Sequence, residues 1–168
     1  VSLNTKYKFN KTIQSIISQS VKNYEIVVVD GKSTDGTIEL ISKYKKFIKK
    51  KIIKKDKGIY FAMNRGIKLA SNKWLIFLNS GDKFYSKDTL KKLTYYIKKY
   101  NKADVIVGHS QIKKKNYIYK KKYSQLTEES LMSTFSHQSC VTKKILFRKN
   151  FETKYKISPD FNFFKNLL

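Results

Sequence analysis

Two rhythms of apolar and polar positions share the first two thirds of the chain. Short runs such as Glu25-Ile26-Val27-Val28-Val29, Lys51-Ile52-Ile53-Lys54, Trp74-Leu75-Ile76-Phe77-Leu78 and Asp104-Val105-Ile106-Val107 read as strands. Between them, apolar residues recur at helical spacing: Ile13, Ile16 and Ile17 in Thr12 to Ser20; Ile38, Ile41 and Tyr44 in Thr37 to Phe47; Ile59, Ala62, Met63 and Gly66 in Gly58 to Ala70; Leu90, Leu93 and Ile97 in Thr89 to Tyr100. Val1-Ser2-Leu3 reads as the tail of a further strand. This alternation predicts an α/β fold, a mostly parallel sheet with helices on both faces. Ligands of such sheets lie beyond the carboxyl ends of the strands.

After Gly108 the pattern loosens. Gln111 to Tyr123 is rich in Lys and Tyr, with a hairpin expected around Lys115-Asn116, and Thr127 to Ser133 carries a weak helical signal. Ser139 to Thr142 is compatible with a strand, and the final stretch from Lys154 ends in an apolar helical pattern containing Phe161, Phe163 and Phe164. No linker or repeat interrupts the chain. The expectation is one domain over residues 1–168, with a ligand-binding part in 1–108 and an irregular remainder in 109–168.

A chain of 168 residues with 40% apolar and 14% aromatic residues can bury a core. The single cysteine, Cys140, excludes an intrachain disulfide and fits a reducing compartment. No apolar run approaches the roughly 20 residues of a membrane span, and no signal peptide is evident. Because the chain opens with Val1 inside a strand-like run, its natural start is expected upstream. The formal net charge is +25, from 37 basic and 12 acidic residues, yet only Arg65 and Arg148 are arginines. Scattered lysines of this kind are consistent with compositional drift in an AT-rich genome or with attraction to an anionic membrane leaflet. Specific nucleic-acid reading favours Arg and is disfavoured here.

The rare acids are more informative. Asp30, Asp56 and Asp82 follow three successive strands, so the topology gathers them at one rim. Neither a G-x-G-x-x-G nor a P-loop pattern is present, which points to a ligand other than those two motifs serve. In Asp30-Gly31-Lys32-Ser33-Thr34-Asp35-Gly36-Thr37, the first acid can accept hydrogen bonds from a ribose or base edge, or simply shape a capped turn. Arg65, in Asp56-Lys57-Gly58-Ile59-Tyr60-Phe61-Ala62-Met63-Asn64-Arg65-Gly66, suits either a phosphate or a neighbouring acid. Asn79-Ser80-Gly81-Asp82 offers a hard cation one carboxylate, or forms an ordinary turn.

In this order, these three segments resemble the family 2 glycosyltransferases of the GT-A fold, over Asn4 to about Phe164, and most closely bacterial enzymes of surface-polysaccharide synthesis. The resemblance implies an inverting transferase moving a sugar from a nucleoside-diphosphate sugar, a UDP-sugar by preference, to a glycan or lipid-linked acceptor. It places Asn4 and Thr5 near the nucleotide, Asp30 on the uridine or ribose, Asp56 on the base, Asn64 and Arg65 in the donor site, and Asn79 with Asp82 at the family's metal and diphosphate motif. Asp82 would hold Mn2+ or Mg2+. Gln19 and Glu25 match structural positions of the family. His137-Gln138 and Ser158-Pro159-Asp160-Phe161 match its acceptor side, with Asp160 as the general base. His109 reads as structural. The reducing compartment suggested by Cys140 and the lysine surplus together lead to the expectation of a cytoplasmic location, peripheral at the inner face of the membrane.

The chain departs from the family pattern in carrying Asn79-Ser80-Gly81-Asp82 where relatives often have two or three acids, and Phe61 where an Asp is common. The chain ends soon after Asp160, so acceptor elements that the family carries beyond it are expected to be absent from this sequence. The competing expectations are a truncated or degenerate nucleotide-binding module and, less favoured, a basic nucleic-acid-binding domain.

Overall fold

A computed structural model describes residues 1–114, 117–122, 136–154 and 159–167. In chain order the elements are α1 (Lys6–Ile17), β1 (Val27–Asp30), α2 (Thr37–Lys43), β2 (Lys50–Ile53), α3 (Ile59–Leu69), β3 (Trp74–Ile76), α4 (Thr89–Lys99) and β4 (Val105–Val107). A hairpin of β5 (Ser110–Lys113) and β6 (Ile118–Lys121) follows, then β7 (Cys140–Lys143) and α5 (Pro159–Lys165), with 3-10 turns at His137–Ser139 and Lys144–Lys149. The expected hairpin is thus present in its two strands, while Lys115, Asn116 and the expected helix at Thr127 to Ser133 lie outside the described residues.

β1 pairs parallel with β2, from Val27 opposite Lys50 to Asp30 opposite Ile53. The first residues join this pair to β3. Ser2 forms a parallel bridge with Asp30, the Ser2 amide donates to Val29 O (3.0 Å), and Ser2 O accepts from Gly31 N (2.9 Å). On its other side the Val1 nitrogen donates to Leu78 O (3.2 Å), and Val1 O accepts from Ser80 N (3.2 Å).

Beyond β3 the sheet is not parallel. β7 lies between β3 and β4 and runs antiparallel to both. The reason is connectivity: β4 delivers the chain to the carboxyl rim, so a strand re-entering from that rim runs backwards.

Successive side chains of β1 face opposite layers. Val28 packs with Phe9 and Ile13 of α1 and Ile41 of α2, all buried. On the other face Val29 meets α3, where a methyl group at Gly66 would lie 3.6 Å from Val29 Cγ2, so the glycine sets a close helix-to-strand approach. A second core joins Met63 and Ile67 of α3 to Cys140, Phe147, Phe151, Phe163 and Phe164. Its rings interlock: Phe147 and Phe163 stack at 4.6 Å, and Phe77 meets Phe147 and Phe151 at 5.6 and 5.7 Å. Each buried large apolar side chain contributes about 1.5–3 kcal/mol, so this aromatic cluster anchors the carboxyl-terminal segment to β3 and α3.

Candidate active site

Parallel pairing sends the loops after β1, β2 and β3 out of the same sheet edge. Lys54 N donates to Asp30 O (2.9 Å), and Val1 and Ser2 link Asp30 to Ser80 by the bonds above. The acid-bearing loops therefore share one rim, although their acids behave very differently.

Asp30 is fully buried. Its Oδ2 accepts from Ser2 Oγ (2.8 Å) and Ser33 Oγ (2.7 Å), and its Oδ1 accepts from Ser33 N (2.7 Å). Three donors from two segments occupy the carboxylate, so the expectation that it faces a ribose or uridine gives way to that of a clasp shaping the loop. Asn4, at φ +48°, reinforces the clasp: its amide donates to Ser33 Oγ (2.8 Å) and its Oδ1 accepts from Thr34 N (2.8 Å). Asp35 ties together two helix starts, accepting from Lys6 N (2.9 Å), Thr37 N (3.0 Å) and Thr37 Oγ1 (2.5 Å). The Lys6 amide, then the Thr37 groups, hold its carboxyl below the ordinary range. Thr5 is placed differently, because its Oγ1 is buried without a hydrogen-bond partner.

In the second loop, Arg65 of α3 forms an ion pair with the largely buried Asp56. Arg65 Nη1 also donates to Lys54 O (3.2 Å) and Lys55 O (3.4 Å). Of the two roles open to Arg65, the structure shows the neighbouring acid. Asp56 makes no aligned hydrogen bond in addition to that charge contact. Asn64 departs from the expected donor contact. Its Nδ2 donates to Phe151 O (2.9 Å) and its Oδ1 accepts from Phe151 N (2.9 Å), because a side-chain amide matches the donor and acceptor of one backbone residue.

The third loop is a tight turn. Asp82 Oδ2 accepts from Asn79 N (3.0 Å), Asp82 N donates to Asn79 O (2.9 Å), and Gly81 N donates to Thr12 Oγ1 (2.9 Å). Gly81, at φ +112°, occupies a conformation that other residues resist, and a methyl group there would meet Lys8 Cδ at 3.6 Å. The Lys8 stem therefore lies against the turn, a placement that nothing in the sequence distinguishes from the general excess of lysine.

Among the described residues no group of three or more His, Cys, Asp or Glu could hold a metal ion. The turn does leave Asn79 Oδ1 buried without a partner, close in sequence to the Asp82 carboxylate. One carboxylate and one amide oxygen fit a hard cation whose remaining ligands come from a diphosphate.

In the first turn of α5, Asp160 is held from two directions. His137 Nδ1 lies 2.6 Å from Asp160 Oδ2, and Tyr60 OH donates to Asp160 Oδ1 (2.6 Å). Burial pushes the Asp160 carboxyl up, but the hydrogen bonds of His137 and Tyr60 and the attraction of His137 outweigh it and hold the group below its ordinary value. Tyr60 shifts upward, first by burial and then by Asp160. An ionised Asp160 accepts, so His137 presents a proton on Nδ1, while its Nε2 is buried and without a partner. Gln138 turns back on Ser136, whose hydroxyl donates to Gln138 Oε1. Cys140 lies beneath, its thiol pushed up to about 12 by burial, and is no nucleophile.

Tyr60 was not singled out by pattern. Its helix position was legible, but a contact spanning 100 residues of sequence was not.

The chain belongs to the glycosyl transferase family 2, whose model matches residues 3–163. It is similar to the PGL/p-HBAD biosynthesis glycosyltransferase of Mycobacterium bovis (strain BCG / Pasteur 1173P2), with 28% identity over 167 residues, 96% of this chain and 65% of the relative. It is also similar to the poly(ribitol-phosphate) beta-N-acetylglucosaminyltransferase TarP of Staphylococcus aureus (strain N315), with 32% identity over 64% of this chain and 34% of TarP. Among solved structures, S. aureus TarS 1-349 aligns with a TM-score of 0.77 at 20% identity, covering 97% of this chain and 52% of that fragment. The mannosyltransferase PcManGT from Pyrobaculum calidifontis, in complex with GDP-Man and Mn2+, aligns at 0.69 and 17%, covering 96% and 48%. Both likenesses show the fold, the expected α/β GT-A architecture. The chain spans 65% of the Mycobacterium relative and about half of these solved chains. Among the described residues no helix is long and apolar enough to cross a membrane.

Proposed function

We propose that this chain is the donor-binding and base-bearing part of an inverting glycosyltransferase that moves a sugar from a nucleoside-diphosphate sugar to a hydroxyl of a glycan or lipid-linked acceptor. The observation that carries the reading is the distribution of unpartnered polar atoms. Among the described residues, the buried side-chain atoms without hydrogen bonds sit on Thr5, Asp56, Asn79, Ser110 and His137. Asp56 already meets Arg65 in an ion pair, and three of the other four residues belong to the strand-end loops or the Asp160 pair. Buried polar atoms are otherwise almost always satisfied, so such a concentration fits a site completed by a polar ligand.

In this reading Thr5 Oγ1 and Asn79 Oδ1 bind the donor, while Asp30, Asn4 and Asp35 hold the loop in which the nucleotide lies. Relatives of known structure support a nucleotide-sugar donor, since TarS has been solved with UDP and with UDP-GlcNAc. A divalent cation bound at Asp82 and Asn79 would neutralise charge on the leaving diphosphate. Lys8, lying against Gly81, adds positive charge at the same turn. Asp160 accepts the proton of the acceptor hydroxyl, and His137 and Tyr60 fix both the direction and the ionisation of its carboxylate. A base on the face opposite the leaving group inverts the anomeric centre. The surplus of lysine favours contact with an anionic leaflet, where a lipid-linked acceptor would reside.

A second reading is favoured by the bare His137 Nε2: His137 takes the proton and Asp160 orients it. The occlusion of that nitrogen and the greater exposure of Asp160, with side chains 9% and 16% exposed, favour Asp160 as the base.

The test is release of nucleoside diphosphate from UDP-GlcNAc and GDP-mannose with Mn2+, for the unaltered chain and Asp82→Ala. The expected result is metal-dependent turnover with one donor, lowered about 100-fold or more by the substitution. Donor binding without turnover would support the nucleotide-binding module instead. Binding of nucleic acid that is indifferent to either donor would overturn both readings.

A further inference from the structure

Between Asp104 and Glu128 the sequence holds no acidic residue, and within that stretch β5 and β6 gather lysine around aromatic and aliphatic side chains. Lys113, Lys114, Lys120, Lys121 and Lys122 lie there, and among the described residues none of them pairs with an acid. Beside them Tyr117 and Ile118 are each 55% exposed, and Tyr119 is 36% exposed. β5 and β6 form a two-stranded sheet of their own. Such a hairpin is marginal in water unless something packs against it.

Residues that stand opposite one another share a face. Lys113 is opposite Ile118 and Gln111 is opposite Lys120, all four exposed. Ile112 is opposite Tyr119 on the other face, where the Tyr119 and Tyr117 rings stack at 5.9 Å and Lys114 Nζ lies 5.9 Å from the Tyr117 ring centre. Apolar groups thus project from both faces, each with lysine beside it. A soluble polyanion would take the lysines and lie on the rings of one face, but would leave Ile118 in water on the other. An anionic leaflet receives both faces. Headgroup phosphates meet the ammonium groups, the tyrosine rings settle at the interface, and Ile118 reaches the acyl boundary while the lysine stems snorkel.

The position of the hairpin fits that partner. β3 and β4 both run antiparallel to β7, hence parallel to each other, so β4 ends at the same edge as the loop that carries Asp82. Gly108 N then donates to Ser139 O (2.8 Å), in the turn that begins with His137, and β5 starts two residues later. We propose that β5 and β6 are the membrane-docking element of this chain: Tyr117, Ile118, Tyr119 and the flanking lysines seat on an anionic leaflet and present the His137–Asp160 side of the rim to a lipid-linked acceptor. The docking stands on the hairpin alone, and only the use made of it rests on the proposed transfer.

The test is co-sedimentation of the full chain with vesicles of phosphatidylglycerol and phosphatidylcholine, read without donor. α4 supplies a matched comparator: Lys91, Lys92, Lys98 and Lys99 are exposed beside exposed tyrosines, while its aliphatic Leu90, Leu93 and Ile97 are buried or half-buried. Combined Lys113→Gln, Lys114→Gln, Lys120→Gln and Lys122→Gln is expected to weaken binding about 100-fold, and the same change at the four α4 lysines about tenfold or less. Ile118→Ser is expected to weaken it about tenfold. Ile118→Trp reads placement even should the lysine variant fail to fold. Its emission is expected to shift to the blue on these vesicles and not on phosphatidylcholine alone, with Tyr95→Trp unmoved. Asp82→Ala is expected to bind vesicles as the unaltered chain does, so this proposal and the transferase reading fail separately. Equal losses from the hairpin and α4 lysine variants would overturn the docking element, because net charge alone would then carry binding. So would an unshifted Ile118→Trp, or tighter binding to single-stranded RNA or inorganic polyphosphate than to vesicles, which would assign the hairpin to a soluble polyanion.

Discussion

Asp30 and Asp160 are both carboxylates beside the ends of apolar elements, yet their surroundings fit opposite tasks. Asp30 has no exposure and three donors within 2.8 Å, from two segments that it binds together. Asp160 keeps a 16% exposed side chain, takes one donor on each oxygen, and lies beside a histidine nitrogen that has no partner. The first carboxylate is saturated by its own chain and builds the loop. The second is aimed and kept charged, but remains able to accept a proton. An acid at a strand end is therefore a candidate for chemistry only after its hydrogen bonds have been counted.

The sharpest way to break this comparison is to remove the charge from each acid. Asp160→Asn is expected to lower the transfer rate by about 1000-fold with the fold retained, since an amide can donate to Tyr60 and accept from His137 but cannot take a proton. Steady-state kinetics with circular dichroism would check both halves. A variant with near-normal turnover would remove Asp160 as the base and favour His137. Asp30→Ala should behave in the reverse manner, with stability falling by about 2–4 kcal/mol in urea unfolding as buried donors of Ser2 and Ser33 lose their acceptor. If Asp30→Ala instead kept its stability and lost only donor affinity, the clasp would be wrong and the direct ribose contact correct.

Much of this was legible in the sequence, and what was not has a common cause. β1, β2, β3, β4 and the helices between them follow from apolar spacing, because each buries its own periodic face. The start of α1 was placed at Thr12 but lies at Lys6, where the cap comes from Asp35, 29 residues away. α2 was expected to reach Phe47 but ends at Lys43, and the chain turns so that Lys49 N can donate to Ile26 O (2.9 Å) as it enters β2. The slot of β7 between β3 and β4 is set by the route of the chain and leaves no trace in local pattern. Parallel strands send the three acid-bearing loops out of one sheet edge, while which of the acids is occupied by its own chain depends on Ser2, Ser33 and Arg65. Asn64 and Tyr60 sit on one helix and both reach the carboxyl-terminal segment, contacts no periodicity encodes.

Asn64 offers a smaller test of the same contrast. Asn64→Leu leaves the Phe151 amide and carbonyl without partners and is expected to cost about 1–3 kcal/mol in urea unfolding. Because Phe151 packs against Tyr60 at 5.6 Å, the variant should also loosen the Asp160 pair and lower kcat more than donor affinity. A pure loss of donor affinity at unchanged stability would restore Asn64 to the nucleotide site.

Tyr60→Phe isolates what aiming and ionising contribute to Asp160. The carboxyl is held below its ordinary value, so the proposed base is charged at neutral pH, and activity is expected to be lost only as pH falls through that lowered value. Removing the Tyr60 hydroxyl takes away one of the bonds that oppose burial, so the group titrates at higher pH and the acid limb of the kcat profile moves upward. At pH 8 the carboxylate remains ionised, and the remaining loss, roughly tenfold or less, reports orientation alone. The shift should vanish in Asp160→Asn, which has no proton to exchange at that position. A profile whose acid limb stays in place in Tyr60→Phe and disappears in His137→Gln would make the histidine the proton acceptor and the aspartate its support.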